Sequence, residues 1–320
     1  MRRRGLRSKR SAGLALVAVL VLATGADLAG CSDPVAAPPT THATGRNPPP
    51  TANPSPTTTV QPPAPTMSEM PLVDVTRPVV DAGVVLAVQR NLPTYVWTPA
   101  GRGPFPLVVF VHGYDTGPLD YQRFCSTLAS AGYVVAAPSF PQEDPARGFP
   151  LDETHLADEA RDVTFVITSL INVGAAPVAR SRIAVVGHSD GADVALLVGY
   201  GSGSVDPRVG AVVADAPDPM SVPPVASDVP LLLVQGTADS VVPYSDSRTV
   251  YGQVDAPVFY VSLIGADHLP PIAGATPWTP VLDTAVAQFL SATVAGRTPE
   301  GGALTTALAA SPLVKLESKA

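Results

Sequence analysis

From residue 69 onward the chain alternates short, continuous apolar runs with longer segments whose apolar positions recur every three or four residues. Residues 106–111 are apolar and rich in β-branched side chains, and they end at His112-Gly113, as a buried strand should. The same pattern predicts strands at 133–138, 182–187, 209–214, 230–234 and 257–264. Residues 121–131, 152–173, 191–199 and 280–294 read as helices. Within 152–173, Leu156, Ala160, Val163, Ile167 and Leu170 share one apolar face. Asp152 and Glu153 put negative charge at its start, where a helix N-terminus favours it. Continuous apolar strands separated by helices predict an α/β fold with a mostly parallel central sheet covered on both faces. The stretch 215–229 is too short to hold a large lid domain between its flanking strands. Residues 199–203 are glycine-rich without a P-loop lysine and read as a loop, and a short helix is expected after Gly301.

The first 68 residues follow other rules. Six basic residues lie within 1–10, and an apolar run follows at 12–23. That run is shorter than the about 20 residues a transmembrane helix needs, so the pair reads as a secretory signal over 1–30. Residues 32–68 hold 11 Pro and 8 Thr but only two charged residues, Asp33 and Arg46. Such a chain favours extended polyproline II at about 3.1 Å per residue, and reads as a disordered tether with a reach of roughly 100 Å. Thr beside Pro also suits O-glycosylation. Residues 69–320 are left as the folded domain.

Composition narrows the function. A hydrophobic fraction of 46% over 320 residues supports a sizeable core. Two cysteines, Cys31 and Cys125, build neither a disulfide framework nor a multi-cysteine zinc site, and Cys125 is expected inside a helix. The net charge of −7 understates the acidity of the folded part. Six of the 20 Lys+Arg and one of the 27 Asp+Glu precede Cys31, leaving 14 against 26, a net of −12. A surface so acidic argues against nucleic acid and against electrostatic attraction to anionic lipid. Neither a metal-binding HExxH nor a dinucleotide fingerprint occurs, and no cofactor or metal is expected.

The chemistry centres on Gly187-His188-Ser189-Asp190-Gly191, a G-x-S-x-G placed after a predicted strand and before a predicted helix. The sharp turn needs small flanking residues, and the helix beyond Ser189 offers positive partial charge to a developing oxyanion. A serine hydroxyl needs a base. His42 lies in the tether, His155 at a helix start, His188 inside the turn and His112 at a strand end. His268, in Gly265-Ala266-Asp267-His268, follows the last apolar strand and is the expected base. Asp239 follows the strand at 230–234 and gives the chain order Ser189, Asp239, His268; Asp215 is the rival acid. Asp267 is badly placed to orient the ring of its own neighbour. The oxyanion hole is expected from the backbone N–H groups of Tyr114 and Asp190. Trp97 and Trp278 read as core or site-rim residues.

These motifs resemble those of the α/β-hydrolases: the HGY loop, the GHSDG elbow, the GTADSVVP acid loop and the GADH histidine loop occur in that order. Within the superfamily the chain resembles the lidless branch of dienelactone hydrolases, cutinase-like polyester hydrolases, chlorophyllases and platelet-activating-factor acetylhydrolases. The resemblance implies a metal-independent serine esterase that forms an acyl-enzyme, with a small-molecule ester as substrate and a monomeric state. The same triad serves thioester and peptide bonds, and a non-catalytic surface lipoprotein of this fold is the contrasting reading. Two features depart from polyester hydrolases: Asp190 replaces an apolar residue, and the loop Asp215-Ala216-Pro217-Asp218 lacks an aromatic clamp. Chlorophyllases and acetylhydrolases place their acid after the strand matching 209–214, which keeps Asp215 open. Leu28-Ala29-Gly30-Cys31 resembles a bacterial lipobox. It implies cleavage before Cys31, a lipid on its thiol, and anchoring to the outer face of the cell membrane. An ordinary cleaved signal is the alternative, and Arg3-Arg4 leaves the twin-arginine route open beside the general one.

Overall fold

The apolar runs become the middle of a nine-stranded sheet in a computed structural model, which describes residues 63–174, 176–295, 303–309 and 311–320. The signal segment, Cys31, His42 and nearly all of the tether lie outside the described residues. In chain order the elements are β1 (Thr66–Asp74), the hairpin β2 (Val79–Asp81) and β3 (Val84–Ala87), β4 (Arg90–Thr98), β5 (Phe105–Val111) and α1 (Gln122–Ser130). Next come β6 (Val134–Pro138), α2 (Leu156–Val173), β7 (Val178–His188), α3 (Asp190–Tyr200) and β8 (Val209–Asp215). The last are β9 (Leu231–Gly236), α4 (Tyr244–Gln253), β10 (Val258–Leu263), α5 (Pro270–Ala273), α6 (Thr279–Thr293), α7 (Ala303–Ala309) and β11 (Val314–Lys319).

The sheet order is β1-β4-β6-β5-β7-β8-β9-β10-β11. Strands β6, β5, β7, β8, β9 and β10 are parallel neighbours, whereas β4 runs antiparallel to β1 and β6, and β11 antiparallel to β10. Valines, leucines and isoleucines on alternate sheet faces feed two cores. One packs against α2, α3 and α4, the other against α1, α6 and α7. Every residue of β6 and β9 is buried, which explains why these strands read as unbroken apolar runs. Among the described residues no helix is long and apolar enough to cross a membrane.

Several boundaries differ from expectation. The first strand begins at Thr66, ahead of Glu69, because its pairing with β4 already starts at Thr66↔Thr98. Helix α2 starts at Leu156 rather than 152, with His155 as its N-cap; Asp152 instead closes a turn by accepting from the N–H and hydroxyl of Thr154. The segment before α1 is a 3-10 turn over Pro118–Tyr121. Arg90 reaches from β4 into the interior and grips Asp162 of α2 through Nε (2.8 Å to Oδ1) and Nη2 (2.6 Å to Oδ2). Arg77 bonds the same carboxylate from the turn after β1. Between β8 and β9 only residues 216–230 intervene, and there is no large lid.

The register aligns the strand ends. Val111 lies opposite Gly187, His188 opposite Asp215, and Leu263 opposite Gly236. The loops that leave the carboxyl ends of β5, β7, β8, β9 and β10 therefore gather at one edge, where ligands of open α/β sheets bind.

Candidate active site

Ser189 sits between β7 and α3 with φ 56° and ψ −129°. A non-glycine residue held there stores about 1–3 kcal/mol of strain, which the surrounding packing must impose. That packing is visible at the two flanking glycines. A Cβ on Gly187 would collide with the carbonyl of Gly191, and one on Gly191 with the carbonyls of Val111 and His112. Only glycine lets strand and helix approach this closely. The Ser189 N–H donates to the carbonyl of Asp215 (2.9 Å), and its carbonyl accepts from the Ala192 N–H (2.7 Å), opening α3.

The histidine and the acid meet. His268 Nδ1 lies 2.8 Å from Asp239 Oδ2. Asp239 is held from all sides: Oδ1 accepts from the N–H groups of Val241 and Val242, each at 2.9 Å, and Oδ2 also accepts from Gln235 Nε2 at 2.8 Å. Burial opposes its charge, but the bonds from His268 and the two backbone amides outweigh that and leave its pKa below the usual carboxylate value. Asp267 serves the loop instead. Its Oδ1 accepts from the Ser240 N–H and hydroxyl and from the backbone N–H of His268. Asp215 is buried with Oδ2 unpartnered, and burial followed by the charge of Asp239 raises its pKa well above normal. The structure brings Asp239, and not Asp215, to the imidazole of His268.

The loop after β5 lies directly over the serine. A Cβ on Gly113 would come within 2.9 Å of Ser189 Cβ. Gly113 is thus packed against the nucleophile, and Tyr114, the next residue, has an exposed side chain. Asp190 opens α3 from the other side. Its Oδ2 is buried without a partner, and burial, together with the charges of Glu153 and Asp218, pushes its pKa up to about 6.

Tyr121 has a part that sequence patterning did not reveal. Its hydroxyl lies 3.0 Å from His188 Nδ1, and His188 Nε2 lies 3.3 Å from the carbonyl oxygen of His268. Burial, followed by the charge of His268, lowers the His188 pKa to about 3, so the ring is neutral. A neutral ring has one N–H. Donation from Nε2 to the His268 carbonyl leaves Nδ1 to accept from Tyr121, whose phenol burial pushes up to about 12. The Gly113 N–H points at the same hydroxyl at 3.4 Å. His112, also buried, accepts from the Phe140 N–H at Nε2 (3.2 Å) and faces the Gly113 carbonyl with Nδ1 (3.1 Å). Gln235 was equally invisible in the sequence, because a glutamine ending an apolar strand carries no signal of the carboxylate it will bind.

The remaining expectations resolve simply. Cys125 is buried and free, and Trp97 is in the core. Trp278 is half-buried and donates through Nε1 to the carbonyl of Ile264 (2.8 Å), bracing the start of the loop that carries His268. Behind the site, Glu143 and Glu159 are fully buried, and none of their four carboxyl oxygens has a hydrogen-bond partner of acceptable geometry.

The sheet order, the strained serine turn and the histidine on an acid after β9 are those of the α/β-hydrolase fold. Residues 74–228 match the chlorophyllase family model. Two curated relatives are similar over 135 residues: chloroplastic chlorophyllase-1 of Citrus sinensis at 31% identity and that of Citrus unshiu at 30%. In each case the match covers 40% of this chain and 40% of the relative. The family match includes the Gly113 loop and Ser189 but stops before Asp239 and His268.

Proposed function

We propose that this protein is a serine hydrolase of carboxylic esters, with Ser189 as nucleophile, His268 as general base and acid, and Asp239 as the residue that orients the imidazole. The observation that carries the reading is the 2.8 Å contact between His268 Nδ1 and Asp239 Oδ2. It holds the proton on Nδ1 and leaves Nε2 free to accept one. Ser189 Oγ attacks the ester carbonyl carbon while Nε2 takes its proton. The N–H groups of Tyr114 and Asp190 hold the tetrahedral oxyanion. Collapse expels the alcohol, protonated by His268, and leaves an acyl-serine. Water, deprotonated by the same imidazole, then releases the acid.

The Asp190 carboxylate beside the nucleophile sets a preference for neutral esters over those with an anionic acyl group. The protein works as an exported lipoprotein, cleaved before Cys31 and held by lipid to the outer face of the bacterial membrane; the lipobox-like Leu28-Ala29-Gly30-Cys31 supports this. Mass spectrometry of the mature N-terminus tests the anchor: diacylated Cys31 is expected, and a free thiol there would overturn it. For the catalytic assignment, the full-length protein is treated with a fluorophosphonate and digested. The adduct is expected on Ser189 and absent after His268→Ala. Labelling elsewhere, or none on folded protein, would refute the assignment.

A further inference from the structure

We infer that Asp81, Asp152 and His155 form a binding site for a borderline divalent metal ion of the Zn²⁺ class, which pins the β2–β3 hairpin to the start of α2. One ligand atom from each residue lies within 4.8 Å of the other two, and all three residues are half-buried. Asp81 ends β2, at the tip of the hairpin, whereas Asp152 and His155 belong to the turn that leads into α2. The chain thus converges on one point from two elements about 70 residues apart in sequence, which local turn chemistry alone does not require.

The imidazole has the surroundings of a ligand. His155 Nε2 is shielded from solvent and makes no hydrogen bond of acceptable geometry, although Asp152 Oδ2 is only 3.1 Å away. Two atoms bound to one zinc ion at about 2.0–2.1 Å in a tetrahedron lie about 3.3 Å apart, so this pair is spaced as neighbouring ligands are. On the other side of the ring, Asp158 Oδ2 stands 3.8 Å from Nδ1. A carboxylate behind the far nitrogen favours the tautomer with its proton on Nδ1, and so presents the Nε2 lone pair to a metal. Asp152 is itself oriented, because its Oδ1 accepts from the N–H and hydroxyl of Thr154 at 2.9 and 2.7 Å, leaving Oδ2 for an ion. One imidazole with two carboxylates suits Zn²⁺ better than Mg²⁺ or Ca²⁺, which prefer all-oxygen sites, and leaves a fourth position for water.

The site joins the catalytic scaffold through one bond. The Asp152 N–H donates to the carbonyl of Gln142 at 3.0 Å, next to the buried Glu143. An ion at this point therefore fixes the hairpin, the first turn of α2 and the loop behind the nucleophile together. This inference does not depend on the esterase reading.

The test is calorimetric titration of the full-length protein with Zn²⁺, beside Asp81→Asn and His155→Gln, with ester hydrolysis followed in the same samples. One ion per chain is expected, with affinity at least tenfold weaker in each variant, and a ¹⁵N resonance of the His155 ring that moves on Zn²⁺ addition. Excess Mg²⁺ should not displace the ion. Unchanged affinity in Asp81→Asn, which leaves the His155–Asp152 pair intact, would overturn the proposal even if His155→Gln folds poorly. So would Zn²⁺ binding that abolishes hydrolysis equally in all three proteins, because it would place the ion on His268.

Discussion

The hydroxyl of Tyr121 lies 3.0 Å from Nδ1 of His188, and through that ring it is linked to the backbone carbonyl of His268. The loop after β5, which overlies Ser189, is thereby tied to the loop after β10, which carries the histidine. Tyr121→Phe removes the hydroxyl and keeps the ring in its packing against Phe110. It leaves Nδ1 of His188 buried without a donor. A loss of about 1–3 kcal/mol of unfolding free energy is expected by urea titration. Stability equal to the native protein would show that the bond carries nothing.

Asp239→Asn and Asp215→Asn should behave oppositely. The amide that Asp239→Asn introduces can donate to Nδ1 of His268 and favours the wrong imidazole tautomer, so kcat for an ester is expected to fall by about 10,000-fold. Asp215 does not touch the ring, and burial raises the pKa of its side chain well above the usual carboxylate value. Asp215→Asn should change kcat by less than about tenfold. Reversed effects would move the acid to β8.

Discrimination against anionic esters should depend on pH. The pKa of Asp190, pushed up to about 6, makes its carboxylate neutral below that value and charged above it. The ratio of kcat/KM for a neutral ester to that for its ω-sulfonate analogue, ionised throughout, is expected to rise between pH 5 and 7. It should flatten in Asp190→Asn. A ratio independent of pH in the native protein would disprove this role.

The fold was legible where one environment acts on a whole segment. Strands β6 and β9 are buried throughout, and most of β5, β8, β10 and the second half of β7 are too, so their middles are nearly continuous apolar runs, and helix α2 has a polar and an apolar face. Strands β1 and β4 escaped the pattern because Pro71 and Pro93 interrupt them, yet they pair with each other across Pro71↔Pro93, where each partner lacks an N–H. Strand β11 is VKLESK at the open edge, with no fully buried position and three charged residues in six. Helix α4 buries only Ser247 and Val250 and offers almost no apolar stripe. At the site, Ser189, Asp239 and His268 were legible because their motifs flank strand ends. Tyr121 and His188 act through contacts between distant loops, and Gln235 through a bond to Asp239 in the loop that follows its strand; no local apolar pattern records either.

Alkaline pH should weaken the fold through the carboxyls behind the site. Burial, then the charge of Asp190, pushes the Glu143 pKa up to about 9, and burial raises Glu159 well above its usual value. A carboxyl whose folded pKa exceeds its unfolded value of about 4.5 stabilises fully below that value. The contribution disappears as pH rises toward about 9. Glu143→Gln cannot ionise and should be more stable than the native protein at pH 8 by at least about 1 kcal/mol, with a shallower decline above pH 5. A decline as steep as the native one would disprove the assignment.

The central claim is that Ser189 performs ester hydrolysis, and the most direct measurement compares the native full-length protein with Ser189→Ala on nitrophenyl esters from acetate to palmitate. Turnover by the native protein that vanishes in the variant is predicted, with the chain-length optimum sizing the acyl pocket. Equal turnover by both proteins, or none by a folded native sample on any ester, would contradict it.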